Sequence, residues 1–115
     1  MKKIYHLGSC STCVRIIKEL QPAEDVILQD IKKEPISAPQ LEEMNTLAGS
    51  YESLFSRRAM KYKSMGLKDK NLSENDYRDL ILEEYTFLKR PVIIADNEIF
   101  VGNSKKVVEE AAKAL

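Results

Sequence analysis

The stretch Ile4-Tyr5-His6-Leu7-Gly8-Ser9-Cys10-Ser11-Thr12-Cys13 runs from a short apolar segment through a turn into a helical pattern, and holds both cysteines of the chain. Lys3 to Leu7 reads as a strand, and Gly8-Ser9 as a turn. From Thr12 to Leu20 the apolar residues fall at Cys13, Ile16, Ile17 and Leu20, which is helical spacing. Cys10 therefore stands at the start of a helix, where unpaired backbone N–H groups and the helix dipole favour an anion. A thiol in that position is expected to have a lowered pKa, and the thiolate is the reactive form. Cys13 lies one turn further on and on the same side, within reach of a bond made by Cys10.

A strand, a Cys-x-x-Cys pair and a helix, in that order, read as thioredoxin-like redox chemistry. Two plainer readings compete with it. A structural zinc site needs four ligands, and the chain offers two cysteines and one histidine, His6. A carboxylate or a second chain would have to complete it, so no metal is expected. Two inert core cysteines are the other alternative. The redox reading is preferred.

The 115 residues suit a single domain, 1–115, large enough to bury a core without staples. Eighteen basic and eighteen acidic residues cancel, so no overall charge draws the chain to nucleic acid or to a membrane surface. No apolar run approaches the length of a membrane span, and the N-terminus lacks a signal-peptide pattern. A cytoplasmic location is expected, where a disulfide would be transient and catalytic.

Further along, Val26-Ile27-Leu28 reads as a second strand ending near Asp30, its continuous apolar run suiting a strand buried on both faces. Ser37-Ala38-Pro39-Gln40 has the form of a capped helix start, with Leu41, Met44, Leu47 and Ala48 as the apolar face and Gly49 as the stop. Tyr51 to Met65 reads as an irregular helix with Leu54, Phe55, Met60 and Met65 turned inward. Ser73 and Asp76 announce another helix, bearing Tyr77, Leu80, Ile81 and Tyr85. Val92-Ile93-Ile94-Ala95, the turn Asp96-Asn97, and Ile99-Phe100-Val101 form a hairpin pattern. A last helix carries Val107, Val108, Ala111, Ala112 and Leu115 on its inner side. The expected fold is α/β and thioredoxin-like, a mixed four-stranded sheet. An all-helical insertion, about 37–88, separates its β-α-β and β-β-α halves.

With these elements placed, the chain resembles the ArsC/Spx family of thioredoxin-fold proteins over nearly its whole length. The resemblance is carried by Ile4-Tyr5-His6 with Cys10-Ser11-Thr12-Cys13, and by Leu54-Phe55-Ser56-Arg57-Arg58 with Tyr62 and Gly66-Leu67. Thr86 to Ile94, with Arg90-Pro91 at its centre, and Val101-Gly102 complete it. It implies that Cys10 is the catalytic cysteine, that His6 favours its thiolate, that Arg90 binds an oxyanion, and that Pro91 is a cis-proline facing the cysteine. Ser11 and Thr12 fall in the anion-binding loop, and the middle-block arginine falls at Ser56 or Arg57. Asn103 stands where the family's third anion-binding arginine is expected, and Val14, beside Arg15, replaces another arginine.

Two functions follow from the resemblance. One is an arsenate reductase-like oxidoreductase acting on a small oxyanion or a mixed disulfide. No cofactor would be bound, and glutathione with glutaredoxin, or thioredoxin, would serve as co-substrate, with Cys13 as the resolving thiol. The other is an Spx-like regulator that contacts the C-terminal domain of the RNA polymerase α-subunit and uses Cys10–Cys13 as a redox switch. Such regulators carry a glycine and an exposed arginine for polymerase contact, whereas here Glu52 follows Tyr51, and the chain ends at Leu115, earlier than they do. The enzyme reading is favoured.

Overall fold

A strand, a turn and a helix do open the chain: β1 spans Lys2–His6 and α1 spans Ser11–Leu20 in the computed structural model, which describes residues 1–115. The backbone then divides into two compact units, residues 1–35 with 90–115, and residues 36–89.

The first unit is built on a four-stranded sheet. Strands β2 (Ile27–Asp30), β3 (Val92–Ala95) and β4 (Glu98–Val101) join β1 in the spatial order β2-β1-β3-β4. β1 and β2 are parallel, and the β1–β3 and β3–β4 pairs are antiparallel. Ile4 lies opposite Ile93, and Ile93 opposite Phe100, so one face of the sheet presents a row of large apolar side chains. Ile4, Val26, Ile93 and Ala111 form a buried cluster there. Ile17 and Leu20 of α1 and Leu115, just past α5 (Lys105–Ala114), pack against it.

The expectation for β2 needs correction. Its burial follows Val26, Gln29 and Ile31, while Ile27 and Leu28 are 47% and 48% exposed. β2 is an edge strand, paired on one side only, and it sits at the margin of the core. The strand that is buried throughout is β3, all four residues of which are inaccessible; it lies between β1 and β4. On α5, Ala112 is exposed; the buried pair is Val108 and Ala111, at the three-residue spacing of one helix face.

The second unit is all helical. α2 (Ala38–Ala48) begins at a capping box in which the Ser37 hydroxyl accepts from Gln40 N–H and the Gln40 side chain accepts from Ser37 N–H. It ends at Gly49, whose φ of 95° is a left-handed conformation that glycine adopts at little cost. α4 (Glu74–Glu83) opens with the same reciprocal device between Ser73 and Asp76. Between them the irregular stretch breaks into a 3-10 turn at Glu52–Leu54, the short helix α3 (Met60–Ser64) and a second 3-10 turn at Leu67–Asp69. Leu54 and Phe55 are buried as expected, but Met60 and Met65 are exposed, at 89% and 42%. A five-residue helix is too short to present a sustained inner face, and aromatic packing takes over. The Phe55 ring stacks on Phe87 at 5.0 Å and meets Tyr77 at 4.9 Å and Tyr62 at 6.0 Å. No helix in the chain is long and apolar enough to cross a membrane.

Candidate active site

Cys10 occupies the N-cap position of α1, with extended backbone angles and its own N–H donating to the Leu7 carbonyl at 3.0 Å. Its C=O accepts from Val14 N–H at 3.1 Å, which starts the helix. The first turn of α1 contains no acidic residue, so the positive end of the helix dipole is left uncancelled within the helix. Cys10 is half-buried and its thiol is free. Burial works against its ionisation. The Cys13 backbone N–H, the Cys13 thiol, the Thr12 N–H and the positive charge of Arg90 outweigh that, and together hold the Cys10 pKa below the ordinary thiol value.

Cys13 is the opposite case. It is 1% exposed, and burial pushes its thiol up. A backbone hydrogen bond with Leu7 and the charge of Arg90 pull it down, but the neighbouring Cys10 charge adds to the rise. Each cysteine is the other's neighbour in this, lowering the Cys10 pKa and raising that of Cys13. One turn of helix thus carries a half-buried thiol whose ionisation is favoured and a buried thiol whose ionisation is disfavoured.

Arg90 precedes a cis peptide bond to Pro91, which is buried at the head of β3, and Gly102 N–H donates to the Pro91 carbonyl at 3.0 Å. Arg90 is half-buried and acts electrostatically on both thiols. His6 closes β1 and pairs in register with Asp30 of β2. His6, Cys10, Ser11, Thr12, Cys13, Arg90 and Pro91 therefore all belong to the ends of β1, α1 and β3 in the sheet-bearing unit. No group of three or more His, Cys, Asp or Glu side chains is placed to hold a metal ion.

The model of the ArsC family matches residues 5–111. The chain belongs to the ArsC family. Among solved structures, it is similar to an arsenate reductase from Vibrio cholerae, with 18% identity and a TM-score of 0.79 over 99% of this chain and 97% of the other. An arsenate reductase (ArsC) related protein from Brucella melitensis shares 24% identity, with a TM-score of 0.72 over 95% and 92%. A structure from Streptococcus mutans described as "a possible arsenate reductase" shares 27% identity, with a TM-score of 0.73 over 96% of each chain. No curated protein matches the chain.

The resemblance implies that Arg57, or Ser56, and Asn103 meet an anion. Within the helical unit, Arg57 donates to Glu52 Oε2 at 2.8 Å and to the Tyr77 hydroxyl at 3.1 Å. Asn103, exposed just before α5, lines a groove of about 350 Å³ together with Arg15, Glu19, Lys105, Val108 and Glu109. Ser11 is exposed and lines a different, open groove along α1, with Val14, Arg15 and Lys18. Sequence reasoning missed Asp30, whose carboxylate accepts from Gly8 N–H at 3.3 Å in the turn that leads to Cys10. The available signal was the parallel β1–β2 pairing, which brings the C-terminal ends of both strands side by side.

Proposed function

We propose that this ArsC-family chain is a thiol-dependent oxidoreductase in which Cys10 is the nucleophile, toward a small oxyanion such as arsenate or toward a mixed disulfide. The feature that supports it is the division of labour between the two cysteines: a half-buried thiol at the helix start whose ionisation is favoured, and one turn away a buried thiol whose ionisation is disfavoured. That asymmetry suits a nucleophile and a resolving thiol, and two inert core cysteines would not need it.

In the oxyanion reaction, the Cys10 thiolate attacks arsenic, and one arsenate oxygen leaves as water after taking up protons. The α1 N-terminus and Arg90 offset the charge on the remaining oxygens. A second thiolate then attacks the Cys10 sulfur. The S–As bond breaks, its electron pair passes to arsenic to give arsenite, and a disulfide is left. The second thiol is Cys13 after loss of its proton, with thioredoxin restoring the pair, or glutathione, with glutaredoxin removing the mixed disulfide. His6, to which the family resemblance gives a role in favouring the thiolate, stands at the end of β1 opposite Asp30.

Arsenate-dependent NADPH oxidation tests the proposal, with each reductant system supplied in turn. Turnover with either one is the expected result. Its absence with both, alongside a reversible Cys10–Cys13 disulfide, would favour a redox-switched binding protein of the Spx kind. Arg90→Ala is expected to raise KM for an oxyanion about tenfold or more, the loss of one charge-assisted contact, while altering reduction of a neutral disulfide far less. Equal effects on both substrates would make Arg90 a structural residue.

A further inference from the structure

The Asp30 side chain holds two separate pieces of backbone at once. Its Oδ1 accepts from Lys32 N–H at 3.0 Å, closing the turn that follows β2, and its Oδ2 accepts from Gly8 N–H at 3.3 Å. The second bond crosses to the other strand. Gly8 is the first residue inside the turn that Cys10 N–H closes onto the Leu7 carbonyl. The approach is close: a Cβ at position 8 would stand 2.6 Å from Asp30 Oδ2. From the same side, Ile31 N–H donates to the His6 carbonyl at 2.9 Å, and His6 itself lies opposite Asp30 in register. The end of β2 therefore grips the chain just before and within the turn that delivers Cys10 to the helix.

We infer that Asp30 is a positioning residue for the nucleophile: its bond to Gly8 N–H sets the Leu7–Cys10 turn, and through it the place of the Cys10 sulfur over the first N–H groups of α1. This rests on Cys10 being the reacting thiol. A carboxylate is an unexpected neighbour for a thiolate, since its charge alone would oppose ionisation. Here the charge is largely engaged. Burial disfavours the Asp30 carboxylate, but the Lys32, Gly8 and Lys33 N–H groups and the His6 charge hold its pKa below the ordinary range. The charged group that acts on the Cys10 thiolate from another element is then Arg90, while Thr12 and Cys13 of its own helix act through hydrogen bonds. Bond and charge make opposite demands on Cys10, so they can be separated.

The experiment follows the alkylation of Cys10 by iodoacetamide against pH, read by peptide mass, in the wild type, Asp30→Ala, Asp30→Asn and Gly8→Ala, with circular dichroism to confirm folding. Asp30→Ala and Gly8→Ala are expected to move the Cys10 midpoint up, toward a free thiol, and to slow disulfide exchange on the order of tenfold. Asp30→Asn, whose one amide oxygen can accept from Gly8 N–H but not from Lys32 N–H as well, loses the charge and one of the two bonds. It is expected to keep more of the wild-type rate than Asp30→Ala, with its midpoint below that of Asp30→Ala. Midpoints that fall equally in Asp30→Ala and Asp30→Asn would reduce Asp30 to a charge and overturn the inference. So would midpoints unchanged in all three variants. A wild-type Cys10 midpoint no lower than a free thiol's would instead overturn the reading of Cys10 as the activated nucleophile, and the inference with it.

Discussion

Cys10→Ser is expected to abolish thiol-dependent turnover, by a factor on the order of 10³ or more, with either an oxyanion or a disulfide as substrate. A serine hydroxyl at the helix start stays protonated near neutral pH, so the N–H groups of Thr12 and Cys13 and the charge of Arg90 have no anion to stabilise. The fold should be unaffected, because Cys10 is half-buried and contributes nothing to the apolar cluster of Ile4, Val26, Ile93 and Ala111. Cys13→Ser should behave differently. It leaves the first attack intact and accumulates a mixed disulfide on Cys10, or leaves a glutathione-dependent route running. Stopped-assay turnover with mass analysis of the protein separates the two variants. Full turnover by Cys10→Ser would contradict the assignment of the nucleophile.

The second large effect is on stability. Phe55 is fully buried and stacks within the helical unit on Phe87, with Tyr77 and Tyr62 at its edges. It also holds the backbone there: Phe55 forms an isolated bridge with Leu88, Ser56 N–H donates to the Phe87 carbonyl, and Lys89 N–H donates to the Leu54 carbonyl. Phe55→Ala leaves a cavity at the centre of this cluster and is expected to cost about 3–5 kcal/mol. Against a total stability of about 5–15 kcal/mol, that is a large fraction. The midpoint of urea unfolding should fall on the order of 2 M. Phe55→Leu, which keeps much of the volume, should cost distinctly less. A drop in Phe55→Ala no larger than in Phe55→Leu would contradict the central place given to the ring.

Much of this arrangement is legible in the residues. Local chemistry marks the Ser37 and Ser73 helix starts, the Gly49 stop and the turn before Cys10, because caps and turns are decided by neighbours along the chain. Position within the sheet is different. Val26-Ile27-Leu28 and Val92-Ile93-Ile94 are nearly the same apolar run, yet Ile27 and Leu28 lie at an edge while Val92, Ile93 and Ile94 lie in the interior. Only the pairing order separates them, and pairing order is a long-range property. Met60 illustrates a second limit: its periodicity implied burial, but the helix breaks after five residues.

The site divides in the same way. Cys10 and Cys13 announce themselves through motif and spacing, and the Arg90-Pro91 step through the family resemblance. Asp30 does not, since an acidic residue at a strand end ordinarily reads as part of a solvated turn. Its role comes from the parallel neighbour that places Gly8 against it.

The central claim is that Cys10 ionises more readily, and Cys13 less readily, than an ordinary thiol. Alkylation of the reduced wild-type protein across a pH series, with each cysteine followed by its own peptide, measures this directly. Thiolate reacts and thiol does not, so each rate rises with pH through that residue's own pKa. A lowered pKa moves the Cys10 midpoint to lower pH than in the urea-unfolded chain, and a raised pKa moves that of Cys13 to higher pH. Cys10 reacting first, with its midpoint below and that of Cys13 above the unfolded control, is the expected result. Coincident midpoints, or Cys13 reacting before Cys10, would contradict the account.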